Sequence, residues 1–213
     1  MPLAFPSFYV IMDAVLSGSS TIALAEQLAS AGAELMQYRD KQGSSRLLFE
    51  TSQMLVRRLE LFPVRLIVND RPDIAALVGA GGVHIGQDDL PVAGARTIIG
   101  SERWVGCSTH TLEQVREAGR TAADYIAFGP IFPTTTKAAA DPTVGVEGLR
   151  RARELTRKPL VAIGGITLER AEQVWRAGAD SVAVARDVLA ARDPAARLQE
   201  YRELATHVFG KQS

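Results

Sequence analysis

The stretch "AGAELMQYR" at 31–39 decides how the chain is read, because three others repeat its grammar: "GAGGVHIGQ" at 79–87, "AADYIAFGP" at 122–130 and "AGADSVAVAR" at 177–186. In each, a cluster of small residues closes a helical segment and a short apolar strand follows. Gly or Ala at such a point suits a helix C-terminus that turns tightly into a strand. Four further strand candidates lie between them: "FYVIMD" at 8–13, "RLIVND" at 65–70, "RWVGCST" at 103–109 and "PLVAIGG" at 159–165. Together they make eight. The intervening segments carry amphipathic helical patterns, such as "TIALAEQLAS" at 21–30 and "LERAEQVWRA" at 168–177. Thr111 and Gln114 have the spacing of a capping box opening the helix after the fifth strand.

Strictly alternating strand and helix implies a parallel sheet with helices outside it. Eight such units in 213 residues predict a compact (β/α)8 barrel, a single domain over residues 1–213. The alternative is an open doubly wound sheet. No G-x-G-x-x-G follows the first strand, which weakens its dinucleotide-binding version. The longest irregular piece runs roughly from Thr134 to Gly145, after the sixth strand.

Composition narrows the function. Lys+Arg and Asp+Glu are both 24, so the formal net charge is zero and no basic block appears. That argues against a nucleic-acid partner. A small anionic substrate needs only local charge and stays open. One cysteine, Cys107, leaves no intrachain disulfide and suits a reducing cytosol. The opening "MPLAFPSFYVIMD" lacks a basic start and carries two prolines, so no signal peptide is expected. No stretch nears the roughly 18 apolar residues of a membrane span. The expectation is a soluble cytoplasmic protein, with a homo-oligomer left open.

Chemistry in such barrels gathers at the C-terminal ends of the strands. The second strand ends in Gln37, Arg39 and Lys41, and the third in Asn69, Asp70 and Arg71. The fourth ends in Gly86 to Asp89, the fifth in Ser108 to His110, and the sixth in Thr134, Thr135, Thr136 and Lys137. The seventh ends in Gly164-Gly165 and the eighth near Ala185-Arg186. Only the first strand end is read as neither polar nor glycine-rich. Asp70 and Asp89 sit on neighbouring strands and could share a hard cation such as Mg²⁺, which takes one or two carboxylates and completes its shell with phosphate and water. Arg39, Lys41 and Lys137 could surround a polyphosphate. The glycine pair exposes N–H groups where such barrels usually bind phosphate.

Each feature has a plainer reading. Arg39 and Asp70 could be a rim salt bridge. Asn69-Asp70 and Asp88-Asp89 could be turns or caps, and the glycine pair only a turn. His84, inside an apolar strand, reads as a satisfied interior histidine; His110 as part of a helix start; His207 as solvent-facing. Three histidines and one cysteine make a structural zinc site improbable. Ser108 lacks a His/Asp partner set or a nucleophile elbow.

The motifs "QYRDK", "VNDRPDIAALVGAGGVHIGQDDLP", "GCSTHTLEQ", "ADYIAFGPIFPTTTK" and "VAIGGI" together resemble the thiamine phosphate synthase family, from about Tyr9 to Asp187 and in family order. The resemblance implies a Mg²⁺-dependent transferase on a TIM barrel. Its substrates would be a hydroxymethylpyrimidine diphosphate and a thiazole phosphate, giving thiamine phosphate and pyrophosphate. It implies that Gln37, Tyr38, Arg39, Asp40, Lys41, Asn69, Ser108 and Lys137 hold the pyrimidine diphosphate, with Arg39, Lys41, Ser108 and Lys137 closest to the chemistry. It makes Asp70 and Asp89 the metal ligands. It brings Thr134, Thr135, Thr136, Gly165, Ala185 and Arg186 to the thiazole phosphate. The loop after Lys137 becomes a candidate lid. One departure stands out: the family pattern at the eighth strand has a small apolar residue followed by Ser, and here the pair is Ala185-Arg186.

Three rivals are weaker. Related thiazole tautomerases lack much of the diphosphate and metal set. A silent phosphate-binding barrel would not need the acidic pair. A Schiff-base aldolase would want a lysine within a strand, and none of the eight strand bodies has one.

Overall fold

The computed structural model describes residues 5–134 and 142–210. Its eight strands form a closed parallel barrel in sequence order. They are β1 (Phe8–Asp13), β2 (Leu35–Arg39), β3 (Arg65–Asn69), β4 (Gly82–Ile85), β5 (Trp104–Thr109), β6 (Tyr125–Phe128), β7 (Leu160–Ile163) and β8 (Ser181–Val184). All eight expected strands are present. Outside them run α1 (Ala14–Ser17), α2 (Thr21–Ser30), α3 (Ser45–Leu59), α4 (Pro72–Val78), α5 (Val92–Ile99), α6 (Leu112–Gly119), α7 (Gly145–Leu155), α8 (Leu168–Arg176), α9 (Arg186–Leu189) and α10 (Pro194–Phe209). The capping box of α6 forms as expected, from Thr111 and Gln114. Among the described residues, no helix is long and apolar enough to cross a membrane. The region between Thr134 and Gly145 joins β6 to α7, and residues 135–141, the bulk of the candidate lid, lie outside the described residues.

Successive side chains of a strand point to opposite faces, so the barrel has two cores. The larger lies between sheet and helices, where Val10, Met12, Met36, Val68, Val83, Val105, Ile126, Ala162 and Val182 meet residues such as Leu28, Leu55 and Val174. Burying each large apolar side chain there favours folding by about 1.5–3 kcal/mol. The smaller core fills the barrel with Tyr9, Ile11, Leu35, Ile67, Tyr125, Ala127, Val161 and Ala183. Phe5 closes its lower end, stacked on Trp104 with ring centroids 5.2 Å apart. The Arg65 guanidinium covers Trp104 at 4.2 Å from the ring centroid.

Gly106 makes room for the Tyr125 ring. A β-carbon there would lie 2.0 Å from Tyr125 Cζ. Gly106→Ala should therefore force the fully buried Tyr125 ring aside and destabilise the barrel by about 1–3 kcal/mol. Urea unfolding checks this: the midpoint should fall with the slope unchanged.

Candidate active site

At the C-terminal ends of the strands the barrel opens into a cavity of about 690 Å³. On the β1–β4 side its charges come in pairs. Arg39, the last residue of β2, donates from Nη1 to Asp13 Oδ2 at 2.5 Å. Asp13 is the last residue of β1, and its Oδ1 also caps α1, accepting from the Val15 and Leu16 amides at 3.1 and 3.3 Å. Lys41 pairs with Asp70. The plain reading of Arg39 against Asp70 is thus not what forms. Each cation takes the carboxylate of a neighbouring strand end, Asp13 from β1 and Asp70 from β3.

Asp70 is the one non-glycine residue with left-handed backbone among the described residues, at φ 64°. Asp tolerates that region better than most residues. Its amide still donates to the His84 carbonyl of β4 at 2.7 Å while the chain turns away into α4. Burial pushes the Asp70 carboxyl above its usual range, and the adjacent Asp89 carboxyl adds to this against the pull of Lys41. Asp89 is held in place by the Gly86 amide, 2.7 Å from its Oδ2. Two close carboxylates at neighbouring strand ends form a donor set suited to a hard divalent cation, with remaining ligands from phosphate and water.

Deeper, a chain of polar groups crosses the interior. Gln37 Nε2 donates to the Tyr9 hydroxyl at 2.7 Å, and Tyr9 and Tyr125 hydroxyls lie 2.9 Å apart. His84 Nδ1 is 3.1 Å from the Tyr125 hydroxyl, and His84 Nε2 is 2.9 Å from Ser108 Oγ. Burial lowers the His84 pKa to about 4, so the ring is neutral near pH 7. His84 is the satisfied interior histidine expected, yet it also touches a predicted substrate residue. His110, at the start of the α6 turn, faces the Gly129 carbonyl at 2.7 Å, and His207 is exposed on α10.

The β6–β8 side is built from backbone. Ile131 N donates to Ile163 O at 2.8 Å and Phe132 N to Gly164 O at 3.0 Å, so the segment leading to Thr134 is laced to the end of β7. Gly164 and Gly165 have φ of 97° and 61°, and a β-carbon on Gly165 would sit 2.4 Å from the Pro133 carbonyl oxygen. Only glycine fits both demands. Arg170, on α8, donates to the Gly165 carbonyl at 2.8 Å and lies over Phe132. Arg186 lines the same rim and is exposed. Its neighbour Asp187 is engaged elsewhere, accepting from Tyr201 at 2.8 Å and the Leu168 amide at 3.2 Å.

The cavity brings together most of the predicted residues. Gln37, Arg39, Lys41, Asn69, Asp70, Asp89 and Ser108 line one part, and Thr134, Gly165, Ala185 and Arg186 another. Three expectations need correction. Tyr38 does not line the cavity: like Met36 it points outward from β2 and packs in the outer core. Asp40 is spent on a turn, its Oδ1 accepting the Gln42 and Gly43 amides at 3.0 and 2.7 Å. A third correction concerns β1, whose end is polar after all, since Asp13 faces the cavity. Thr135, Thr136 and Lys137 lie outside the described residues. Sequence reading missed Asp13, Tyr9 and Arg170 as lining residues. Asp13 had a usable signal, being the polar last residue of an apolar strand.

Residues 8–188 match the family model described as thiamine monophosphate synthase. The chain is 46% identical over 207 residues to a thiamine-phosphate synthase of Koribacter versatilis, covering 95% of this chain and 97% of that one. It is also 46% identical over 199 residues to that of Chloroflexus aurantiacus, covering 93% and 92%. Its fold superposes on the thiamine phosphate pyrophosphorylase from Pyrococcus furiosus with a TM-score of 0.86 and 32% identity, over 96% of this chain and 97% of that chain.

The carboxylate pair makes a stability prediction. Asp70 has a raised folded pKa, so its ionisation disfavours the folded state, and stability is lost as pH rises from the unfolded carboxyl value through the folded one. Without added divalent metal, Asp70→Asn should melt higher than the wild type at pH 7, with the gap closing toward pH 4. Thermal unfolding across that range checks it, and a lower melting temperature for the variant at pH 7 would contradict it.

Proposed function

Because the chain belongs to the thiamine monophosphate synthase family, we propose that the paired charges at the ends of β1–β4 hold its diphosphate substrate and the glycine turn after β7 holds its phosphate substrate. The chain is a transferase of thiamine biosynthesis. It condenses 4-amino-2-methyl-5-(diphosphooxymethyl)pyrimidine with thiazole phosphate, giving thiamine phosphate and pyrophosphate. The observation that carries the site assignment is the pairing Arg39–Asp13 and Lys41–Asp70 beside Asp89, at one mouth and facing Gly164-Gly165.

The chemistry follows from the charges. The C–O bond between the pyrimidine methylene and the diphosphate breaks with its electron pair going to pyrophosphate. The thiazole nitrogen lone pair then forms the new C–N bond. An electron-rich aminopyrimidine supports a carbocation-like path, so the main task is to stabilise charge developing on the leaving group. Arg39 offers a forked guanidinium and Lys41 a point charge. Ser108 adds a hydroxyl and Gln37 and Asn69 their amides. Lys137 and the hydroxyls of Thr135 and Thr136 join this reading through the family motif. Mg²⁺ bound by Asp70 and Asp89 would supply further positive charge to the leaving pyrophosphate. No strong general base is required, and the neutral buried His84 suits a site whose intermediate must not be repelled. The packed interior below the cavity, with Ile11, Val161 and Ile163 on its wall, closes that side of the carbocation to bulk water. A cytoplasmic location is part of the same proposal, supported by the single buried cysteine and the lack of a membrane-spanning helix among the described residues.

Purified protein with Mg²⁺ and both substrates should form thiamine phosphate and pyrophosphate in equal amounts. Asp89→Asn should lower turnover by about a hundredfold or more, the scale of losing charge stabilisation on a leaving group. Near-normal turnover at saturating Mg²⁺ would remove Asp89 from the metal site.

Arg186 stands where the family pattern has a hydroxyl, and the carboxylate of its neighbour Asp187 is directed to the Tyr201 hydroxyl and the Leu168 amide. A guanidinium beside Gly165 can meet a dianionic phosphate with two hydrogen bonds. Arg186→Ala should raise the KM for thiazole phosphate about tenfold, roughly 1.4 kcal/mol, and leave the pyrimidine diphosphate KM unchanged. An unchanged thiazole phosphate KM would mean that backbone N–H groups suffice.

A further inference from the structure

Gln37, Tyr9, Tyr125, His84 and Ser108 come from five different strands and form one hydrogen-bonded chain through the barrel. Both ends line the cavity; Tyr125, in the middle, does not. Each hydroxyl in the chain has a single proton to give, so where every buried proton is paired the direction of one bond sets the rest. Gln37 Nε2 donates to the Tyr9 oxygen. The Tyr9 proton then goes to the Tyr125 oxygen, and Tyr125 must pass its own proton to His84 Nδ1. A neutral imidazole whose Nδ1 accepts carries its proton on Nε2. That N–H donates to Ser108 Oγ, which leaves the serine proton for the cavity.

We infer that this chain runs one way, from Gln37 to Ser108, and that Tyr9, Tyr125 and His84 are positioning residues that make Ser108 a hydrogen-bond donor to the substrate diphosphate. The donor role rests on the reading of Ser108 as a diphosphate contact. Its chemistry is complementary: ionised diphosphate oxygens only accept, so a serine that gave its proton to His84 would meet them lone pair against lone pair. The interior setting strengthens the coupling. Tyr9, Tyr125 and Gln37 are nearly inaccessible to solvent, and links in a low-dielectric chain polarise one another. The ring of Tyr125 also packs against Phe5, Tyr9, His84 and Trp104, so the hydroxyl can be removed without emptying the core.

The chain contains three histidines, so ¹⁵N-histidine labelling of the full-length protein gives a simple long-range ¹H–¹⁵N spectrum, with His110→Gln and His207→Gln assigning the other two rings. The expected result is His84 protonated on Nε2 and bare on Nδ1. The opposite tautomer would mean that the Gln37 amide is reversed and every bond runs the other way, and it overturns the inference. Tyr125→Phe supplies the second arm. It should raise the pyrimidine diphosphate KM about tenfold, leave the thiazole phosphate KM unchanged, and give a mixture of His84 tautomers. In a Ser108→Ala background the same change should add less than about twofold, because the effect passes through Ser108. Additive losses in the double variant would overturn the relay. If Ser108→Ala alone leaves the KM unchanged, the diphosphate contact and the donor role both fail, while the tautomer still decides the direction of the chain.

Discussion

Closure of eight parallel strands into one barrel is the constraint on which the rest of the structure depends. It turns every second residue inward and gives each of them a height. On β2, Leu35 lies deep, Gln37 in the middle and Arg39 at the mouth; on β1 the same order is Tyr9, Ile11 and Asp13. The registers place Ile11 beside Gln37 and Asp13 beside Arg39, so charge meets charge at the top and bulk meets bulk below. A slip of one residue in β2 would send Gln37 and Arg39 into the outer core and bring Tyr38 inside. The charged mouth and the packed interior are therefore one decision, made by strand register.

A mouth that gathers cations has the problem of their repulsion. Arg39 and Lys41 lie two residues apart on one strand end, and without a substrate they would repel each other and lose hydration. Asp13 and Asp70 answer this by pairing with one cation each. Asp13 is fixed in turn by capping α1, so the pair with Arg39 is tied to the first βα turn. Such pairs in a partly exposed site add little to stability. Their value is geometric: they hold long, flexible cations at defined places. The second mouth region does this differently, through hydrogen bonds between the Pro130–Pro133 segment and the end of β7, with glycines where a side chain would collide.

The interior polar chain sits between these two arrangements. Burying Tyr9, Tyr125, Gln37 and His84 among Ile67, Val161 and Ala183 would be costly if any hydroxyl or ring nitrogen were left unpaired. Gly106 makes room for the Tyr125 ring, and the two tyrosines and the histidine then satisfy one another. The network joins residues up to 116 positions apart in the chain.

Much of this was legible in the sequence, for a physical reason. Strand–turn–helix grammar is local, and local signals survive in one dimension: the eight strands, the α6 capping box, and the strand-end residues Gln37, Arg39, Lys41, Asn69, Asp70, Asp89, Ser108, Gly165 and Arg186 all sit where motif reading put them. Tyr38 and Asp40 were drawn in with their motif, because a motif does not say which of two adjacent side chains points inward. What the sequence by itself determined was the order of the elements and the kind of side chain at each strand end. Only the tertiary structure decided which charges pair, that Asp13 rather than Asp70 holds Arg39, and that His84 reaches Ser108 through one ring nitrogen and Tyr125 through the other. Those partners lie on different strands, 24 to 41 residues apart in the chain, and the pairing and register of the strands bring them within hydrogen-bonding distance.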